Sequence, residues 1–177
     1  SRCRALMGKL FVRMHQSSRQ SAIQQKSDAP ETATVKRMKS FLTWMVQFLC
    51  DSANPASSFD RKWMALQILK EFTTVFFAPT DKRKPRYAEQ SKLWHAPHDL
   101  DHPFEFTPAN TMVLIHSVID SWDKTRQLAC EILQLIPGKL LPGFETPDQV
   151  DTLVLWTRDL IASPRVQESD AGALLLR

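Results

Sequence analysis

The chain has 177 residues, a net charge of +4, and 43% hydrophobic and 24% charged residues, a composition that excludes wholesale disorder, collagen and coiled coils. With 4 glycines it has few residues free to adopt positive φ, which argues against an all-β fold and against a phosphate-binding loop. Charged residues interrupt every apolar stretch before the roughly 18 residues of a membrane span, so we expect no membrane crossing.

Three helices are predicted in residues 1–79, the first part of the chain. Apolar residues spaced at i, i+3 and i+4 place the first helix up to about Ser17 and the second over about residues 31–51. A third helix follows and is expected to end at Pro79. The first helix is expected to bury a stripe that consists of Cys3, Leu6, Met7, Leu10, Phe11 and Met14.

Residues 80–106 are predicted to form a long loop or insertion, because they contain three prolines and show no sustained helical period. Residues 107–177 are predicted to form short helical repeats that are truncated at the end of the chain. Their helices are expected to begin at hydroxyl caps, mostly followed by proline, at Thr107, Ser121, Thr146 and Ser163.

A weak internal repeat indicates how these helices are organised. Residues 62–69 match residues 126–133 at an offset of 64, with Ala65 and Ala129 in the same position. When a loop of about 20 residues is subtracted from this offset, the remaining length approaches the roughly 40–47 residues of one HEAT or armadillo repeat. The predicted fold is therefore all-α, a HEAT/armadillo-like solenoid fragment of about 6–7 helices, although chance similarity between two amphipathic helices is the alternative.

The charge is distributed unevenly. Residues 1–40 contain nine Lys or Arg and two acidic residues, which is a local charge of +7 and leaves −3 for the remainder. A polyanion is an expected partner of such a segment, and a solvated helix face is the alternative. A second basic run in the loop, beside a tyrosine, predicts phosphate contact with base stacking, or else a solvated loop tip or a nuclear-localisation-like signal. The residues predicted to bind RNA are Lys36, Arg37, Lys39, Lys82, Arg83, Lys84, Arg86 and Tyr87.

No catalytic or metal site is predicted. Three histidines and two aspartates of the loop lack the helical or hairpin frame that would fix a zinc geometry; they are His95, His98, His102, Asp99 and Asp101. His116 is expected in the core or in a groove. No motif resembles a nucleophile elbow, a Cys-His pair or a carboxylate pair, so we expect a non-enzyme without a cofactor.

The three cysteines, Cys3, Cys50 and Cys130, lie among apolar residues without a nearby Cys or His. They are expected to be reduced core residues of an intracellular protein. The chain begins without Met and stops within an apolar run, which is typical of a piece of a longer protein.

Residues 110–133 resemble a HEAT-type repeat, with Asp123 at the turn and Arg126 and Ala129 in the second helix. Together with residues 58–66 and 163–177, this run is similar to the thyroid-adenoma-associated protein (THADA) family, whose fungal members are regulatory subunits of a tRNA 2′-O-methyltransferase. The resemblance covers about residues 57–177. It implies a large armadillo-type solenoid that binds a Rossmann-fold methyltransferase, and it implies architectural roles for Asp123, Arg126 and Ala129. The family's Arg-Arg-Ser-Ala-Gly-Leu-Pro signature is absent, so no functional residue is transferred from it.

The sequence therefore predicts a non-catalytic, cytoplasmic scaffold fragment. Its expected partners are the catalytic subunit of a tRNA 2′-O-methyltransferase and, as a further candidate, tRNA itself, for ribose methylation in the anticodon loop. The alternative is a generic HEAT-repeat adaptor between proteins that has no role with RNA.

Overall fold

A computed structural model describes residues 2–24, 33–77, 104, 106–136 and 140–176. These residues contain no strand and form seven helices: α1 (Arg2–Gln24), α2 (Ala33–Ser52), α3 (Phe59–Phe77), α4 (Pro108–Val118), α5 (Asp123–Leu133), α6 (Pro147–Ile161) and α7 (Val166–Leu175). The all-α fold is confirmed. None of the helices in this described part combines the length and hydrophobicity that a bilayer span requires.

The chain divides into two compact units. Unit 1 contains Ser1–Met45 and Glu71–Glu105, and unit 2 contains Val46–Lys70 and Phe106–Arg177. Most of the predicted loop at 80–106 lies outside the described residues, and the division of the chain at 79 and 106 stays a prediction.

Aromatic rings form the core of unit 1. Phe11 of α1 meets Phe72 of α3 edge to face, with ring centroids 4.9 Å apart, and Phe72 lies 4.8 Å from Phe76. Phe104 is buried against the same rings, with its centroid 4.6 Å from that of Phe72 and 5.4 Å from that of Phe76. Such offset and edge-to-face pairs add to the free energy that burial provides. Phe104, at the end of the predicted loop, is therefore part of a helical core.

Helix α1 differs from its prediction in length and in the side that it buries. It continues to Gln24, because no proline or glycine stands between Ser17 and Pro30 to end it. Phe11 is buried as predicted, whereas Cys3, Leu6 and Leu10 are exposed, so the predicted stripe is wrong. Phe11 follows Leu10 by about 100° around the helix, and the side that reaches the core is the one that carries Phe11 and Val12.

The core of unit 2 is aliphatic. Its fully or almost fully buried side chains come from the second half of α2, the first part of α3, and α4 and α5: Val46, Leu49, Leu66, Leu69, Leu114, Ile115, Val118 and Ile132. Cys50 and Cys130 are buried and take no part in a disulfide, as predicted, whereas Cys3 is exposed, so its predicted place in the core is wrong. Burial, with a smaller contribution from the charge of Asp51, raises the pKa of the Cys50 thiol to about 12, so this thiol stays protonated near neutral pH. Helix α4 packs against α5, and α6 packs against α7.

Two of the four predicted helix starts are confirmed. The hydroxyl of Thr107 accepts a hydrogen bond from the backbone N–H of Asn110 at the start of α4. Thr146 and Gln149 form a reciprocal capping box at the start of α6. In both cases proline occupies the first turn, where a backbone N–H would have no partner within the helix, so the missing N–H of proline costs no hydrogen bond.

The other two predicted caps are wrong. Helix α5 begins after Trp122, one residue later than predicted, and the N–H of Trp122 donates to the carboxylate of Asp120. Helix α7 begins after Arg165, two residues later than predicted, and the hydroxyl of Ser163 donates to the carboxylate of Glu168 while it accepts the N–H of Arg165. Hydrogen bonds from Ser163 and Arg165 lower the pKa of Glu168. In both places a nearby carboxylate takes part in the hydrogen bonds at the start of the helix. Asp120 accepts a backbone N–H before α5, and Glu168 accepts the hydroxyl of Ser163 before α7.

Candidate nucleic-acid interface and repeat junction

The two units differ in the sign of their net charge. Among the side chains that the structure describes, unit 1 carries seven cations and one acid, which is a formal charge of +6. The described side chains of unit 2 comprise seven cations and eleven acids, which is a formal charge of −4. A polyanion is therefore attracted to unit 1 and repelled by unit 2.

Helix α1 presents part of this positive charge on one face. Arg2, Lys9 and Arg13 are exposed, and their spacings of seven and four residues place them along the same side of the helix. The guanidinium of Arg4 lies on another side, with its Nε 3.5 Å from Oε1 of Glu71. These three cations form an exposed positive row on α1.

Three of the eight residues predicted to bind RNA lie in the described part of the chain, all on α2. Lys36 and Arg37 are exposed, and Lys39 is half-buried. The other five, Lys82, Arg83, Lys84, Arg86 and Tyr87, lie outside the described residues.

The histidine-rich segment with His95, His98 and His102 also lies outside the described residues. Within the ranges that the structure does describe, no group of His, Cys, Asp and Glu is arranged to hold a metal ion. His116 is exposed on α4, so its predicted place in the core or a groove is wrong. The buried side of α4 is instead formed by its neighbours Leu114, Ile115 and Val118.

A second feature, in unit 2, is a buried polar junction centred on Asp120. The ammonium of Lys62 on α3 donates to Oδ2 of Asp120, and the side chains of both residues are almost completely buried. Oδ1 of Asp120 accepts the N–H of Trp122, and its backbone carbonyl accepts Nη1 of Arg126 at 3.1 Å. Donors from α3, from the turn and from α5 thus meet at one residue.

Arg126 extends this junction to α7. Its Nη2 lies 3.3 Å from Oδ1 of Asp123 and 3.7 Å from Oδ2 of Asp170. The structure therefore brings Asp123 and Arg126 together, while Ala129, the third residue of the predicted repeat, is fully buried one turn further along α5. The guanidinium joins the turn, α5 and α7.

Equivalent positions of the internal repeat are buried alike and make similar hydrogen bonds. Lys62 and Arg126 occupy the same position in residues 62–69 and 126–133, and both are buried cations that donate to Asp120. Ala65 and Ala129 are both buried, and so are Leu69 and Leu133 at the end of each segment. Sequence reasoning missed the pair of Lys62 and Asp120, although the alignment of Lys62 with Arg126 was the signal that could have revealed it.

Replacing Arg126 with methionine is expected to lower the free energy of unfolding by about 1–3 kcal/mol, because the carbonyl of Asp120 loses its donor inside the protein. Arg158→Met is the control, since Arg158 and its partner Asp159 are exposed and such a pair contributes under about 1 kcal/mol. Urea denaturation followed by circular dichroism measures both. Equal unfolding midpoints for the two variants would contradict the role of Arg126.

Comparison with protein families identifies the chain. Residues 1–127 match the family model described as Trm732, TPR repeats. The chain belongs to the Trm732 family. This match confirms the resemblance to the THADA type of protein and the helical-repeat fold. The Trm732 description names TPR repeats where the sequence predicted HEAT or armadillo repeats, and both types stack helices in pairs.

The matched part of the chain lies further towards the N-terminus than the resemblance on which the sequence prediction rested. It includes α1 to α4 and the start of α5, and with them all eight residues predicted to bind RNA. The Trm732 family is associated with the regulation of tRNA methylation. No curated protein and no solved structure is significantly similar to the chain.

Proposed function

We propose that the chain is part of a non-catalytic, cytoplasmic scaffold that supports ribose 2′-O-methylation in the anticodon loop of tRNA. In this proposal a partner methyltransferase provides the catalytic centre and the cofactor site. The chain contributes surfaces for the partner and for tRNA, and unit 1 contacts the RNA.

The observation that carries this proposal is the excess of positive charge in unit 1, in a member of a family associated with tRNA methylation. The exposed cations lie on α1, as Arg2, Lys9 and Arg13, and on α2, as Lys36 and Arg37. Contacts between cations and phosphates release counterions, supply affinity without reading the sequence, and position the RNA. A scaffold that presents many tRNAs to one methyltransferase requires affinity of this kind.

Replacing Lys36 and Arg37 with glutamine is expected to weaken tRNA binding equally for tRNAs of different sequence. Each lost phosphate contact flattens the dependence of log affinity on log salt by about 0.7–0.9, so the double variant loses up to about 1.8 units of slope. Replacing Lys82, Arg83, Lys84 and Arg86 with serine is expected to remove about 3 units of slope, up to about 3.6, if all four contact phosphates. The measurement is tRNA affinity of the full-length protein with its methyltransferase at several salt concentrations.

The matched control is Arg61→Gln with Lys124→Gln, because these cations are also exposed but belong to the acidic unit 2. The control is expected to keep the affinity and the salt slope of the unmodified protein. An unchanged affinity and slope in the Lys36 and Arg37 variant, with a normal fold, would remove α2 as an RNA surface, and the same result in the Lys82, Arg83, Lys84 and Arg86 variant would remove that run.

A protein adaptor without an RNA role is the second candidate function. It is favoured by apolar side chains that are exposed on α6 and α7 of unit 2, which are Val154, Leu155, Ile161 and Val166. In this candidate function a protein partner covers these side chains, since contiguous exposed apolar patches are typical of protein interfaces. Copurification of a protein partner together with an absence of any tRNA affinity would favour the adaptor over the tRNA scaffold.

A further inference from the structure

Helix α2 carries an exposed aromatic pair within unit 1. The indole of Trp44 is 56% exposed, and Phe41, half-buried, lies beside it with the two ring centroids 5.8 Å apart. Arg37 stands one turn before Phe41. The spacing of i, i+4 and i+7 places Arg37, Phe41 and Trp44 along one face of the helix. We call these three residues the α2 stripe.

The α2 stripe combines two kinds of group that recognise different parts of a nucleic acid. A guanidinium binds phosphate, and an aromatic face stacks on a base of any identity. In a double-stranded stem the base faces are covered by their neighbours, whereas the bases of loops and ends can be stacked on protein side chains. The stripe therefore fits an unpaired RNA segment better than a duplex.

Charge decides between RNA and protein as the occupant. The described side chains of unit 1 contain one acid, Glu71, and it lies near Arg4. A basic protein surface would be repelled here, and an acidic protein would offer carboxylates but no row of base faces for Trp44 and Phe41. Unpaired RNA supplies negative charge and flat π-faces together.

We propose that Trp44, supported by Phe41, stacks on an unpaired base of the bound RNA while Arg37 contacts a phosphate of the same strand. This inference rests on the proposed function and adds that unit 1 selects single-stranded nucleotides. The class of ligand is thus an RNA loop or end, and not an RNA helix.

Substitution of Trp44 tests the stacking. The probes are an RNA hairpin with an unpaired loop and a blunt RNA duplex of similar length, bound to the full-length protein. Trp44→Ala is expected to lower affinity for the hairpin by roughly 5- to 100-fold, and to leave duplex affinity and the salt slope unchanged. Trp44→Phe keeps an aromatic face and is expected to retain most of the affinity.

Trp122 in unit 2 offers a matched control. Its indole is 54% exposed and also contacts a phenylalanine, Phe59, with ring centroids 4.6 Å apart, but it lies in the acidic unit. Trp122→Ala is expected to leave hairpin affinity unchanged. In addition, the hairpin is expected to quench tryptophan fluorescence of the unmodified protein, and Trp44→Phe is expected to remove that quenching while Trp122→Phe preserves it.

The outcomes separate this inference from the proposed function. If Trp44→Ala lowers affinity for hairpin and duplex equally, or Trp122→Ala has the same effect, stacking at Trp44 is overturned. If Trp44→Ala prevents copurification of the methyltransferase without changing RNA affinity, the stripe is a protein-binding surface and the inference fails. Normal hairpin affinity in Trp44→Ala, with a reduced salt slope in the Lys36 and Arg37 variant, overturns the stacking alone. If the unmodified protein has no RNA affinity, both proposals fail.

Discussion

Replacing Lys62 with methionine is expected to lower the free energy of unfolding by about 3–5 kcal/mol. The side chain of Asp120 is 7% exposed, so loss of the ammonium leaves a carboxylate inside the protein without its cation. Removing one partner of a buried ion pair destabilises a protein more than replacing both partners with apolar residues. Methionine is similar in length to the apolar stem of lysine, so the change tests charge more than packing. Urea unfolding of the full-length protein, followed by circular dichroism, measures the effect.

Lys70→Met is the matched control for Lys62→Met. Lys70 lies on the same helix and pairs with Glu131, but both side chains of that pair are substantially exposed. We therefore expect a loss of under about 1 kcal/mol for Lys70→Met, because water replaces the partner. A double variant, Lys62→Met with Asp120→Asn, is expected to recover part of the stability, since it removes the unpaired charge and keeps an acceptor for the N–H of Trp122. Equal losses for Lys62→Met and Lys70→Met would contradict a buried pair.

Gly172→Ala is expected to lower the free energy of unfolding by about 1–3 kcal/mol, although alanine favours helices more than glycine does. Helix α7 passes α6 so closely that a Cβ at this position would lie 2.7 Å from Cγ1 of Ile161, 2.8 Å from its backbone N and 3.0 Å from the carbonyl oxygen of Thr157. Two of these three atoms belong to the backbone, so the helices must separate. Thermal unfolding of the full-length protein measures the loss, and a larger side chain such as valine should increase it.

Gly8→Ala in α1 is the corresponding control. Among the described residues, a Cβ at Gly8 would come close to Oε2 of Glu71 alone, at 3.6 Å, which is an ordinary contact. This substitution is expected to raise stability by about 0.5–1 kcal/mol through the helix propensity of alanine. The two glycine substitutions should therefore change stability in opposite directions. A loss of stability in Gly8→Ala, or none in Gly172→Ala, would show that the packing of these glycines is not as described.

The buried junction and the close helix contact have a common consequence for function. Lys62, Asp120 and Arg126 hold α3, the turn before α5, and α5 in one register, and Gly172 holds α7 against α6. The side chains of Lys62, Asp120 and Arg126 are almost completely buried, and Gly172 is buried as well. Variants of the junction are therefore expected to reduce the amount of folded protein, whereas variants of Lys36, Arg37 and Trp44 are expected to reduce RNA binding at unchanged stability. The two classes of variant therefore distinguish residues that stabilise the fold from residues that bind RNA.

The sequence by itself determined the helical class and those helix starts that depend on adjacent residues. Thr107 and Thr146 find their hydrogen-bond partners three residues ahead, at Asn110 and Gln149, so their role can be read locally. The same holds for the repeated positions of Ala65 and Ala129, because helical periodicity already places a small residue on the buried side. At Ser121 and Ser163 the local signal failed: the helices begin one and two residues later than these serines predict, where Asp120 accepts the N–H of Trp122 and Glu168 accepts the hydroxyl of Ser163.

Only the tertiary structure decided which side of an amphipathic helix is buried and which charges meet. Helix α1 has apolar residues on more than one face, and the face that carries Phe11 is buried because it packs against the ring of Phe72. Lys62 and Asp120 are 58 positions apart, and no local pattern can pair them. The excess of cations in residues 1–40 follows from composition, but the exposure of Lys36, Arg37 and Trp44 on one helix depends on how α2 is packed. Periodicity restricts a side chain to one face of a helix, and only contacts with distant parts of the chain determine whether that face meets protein or water.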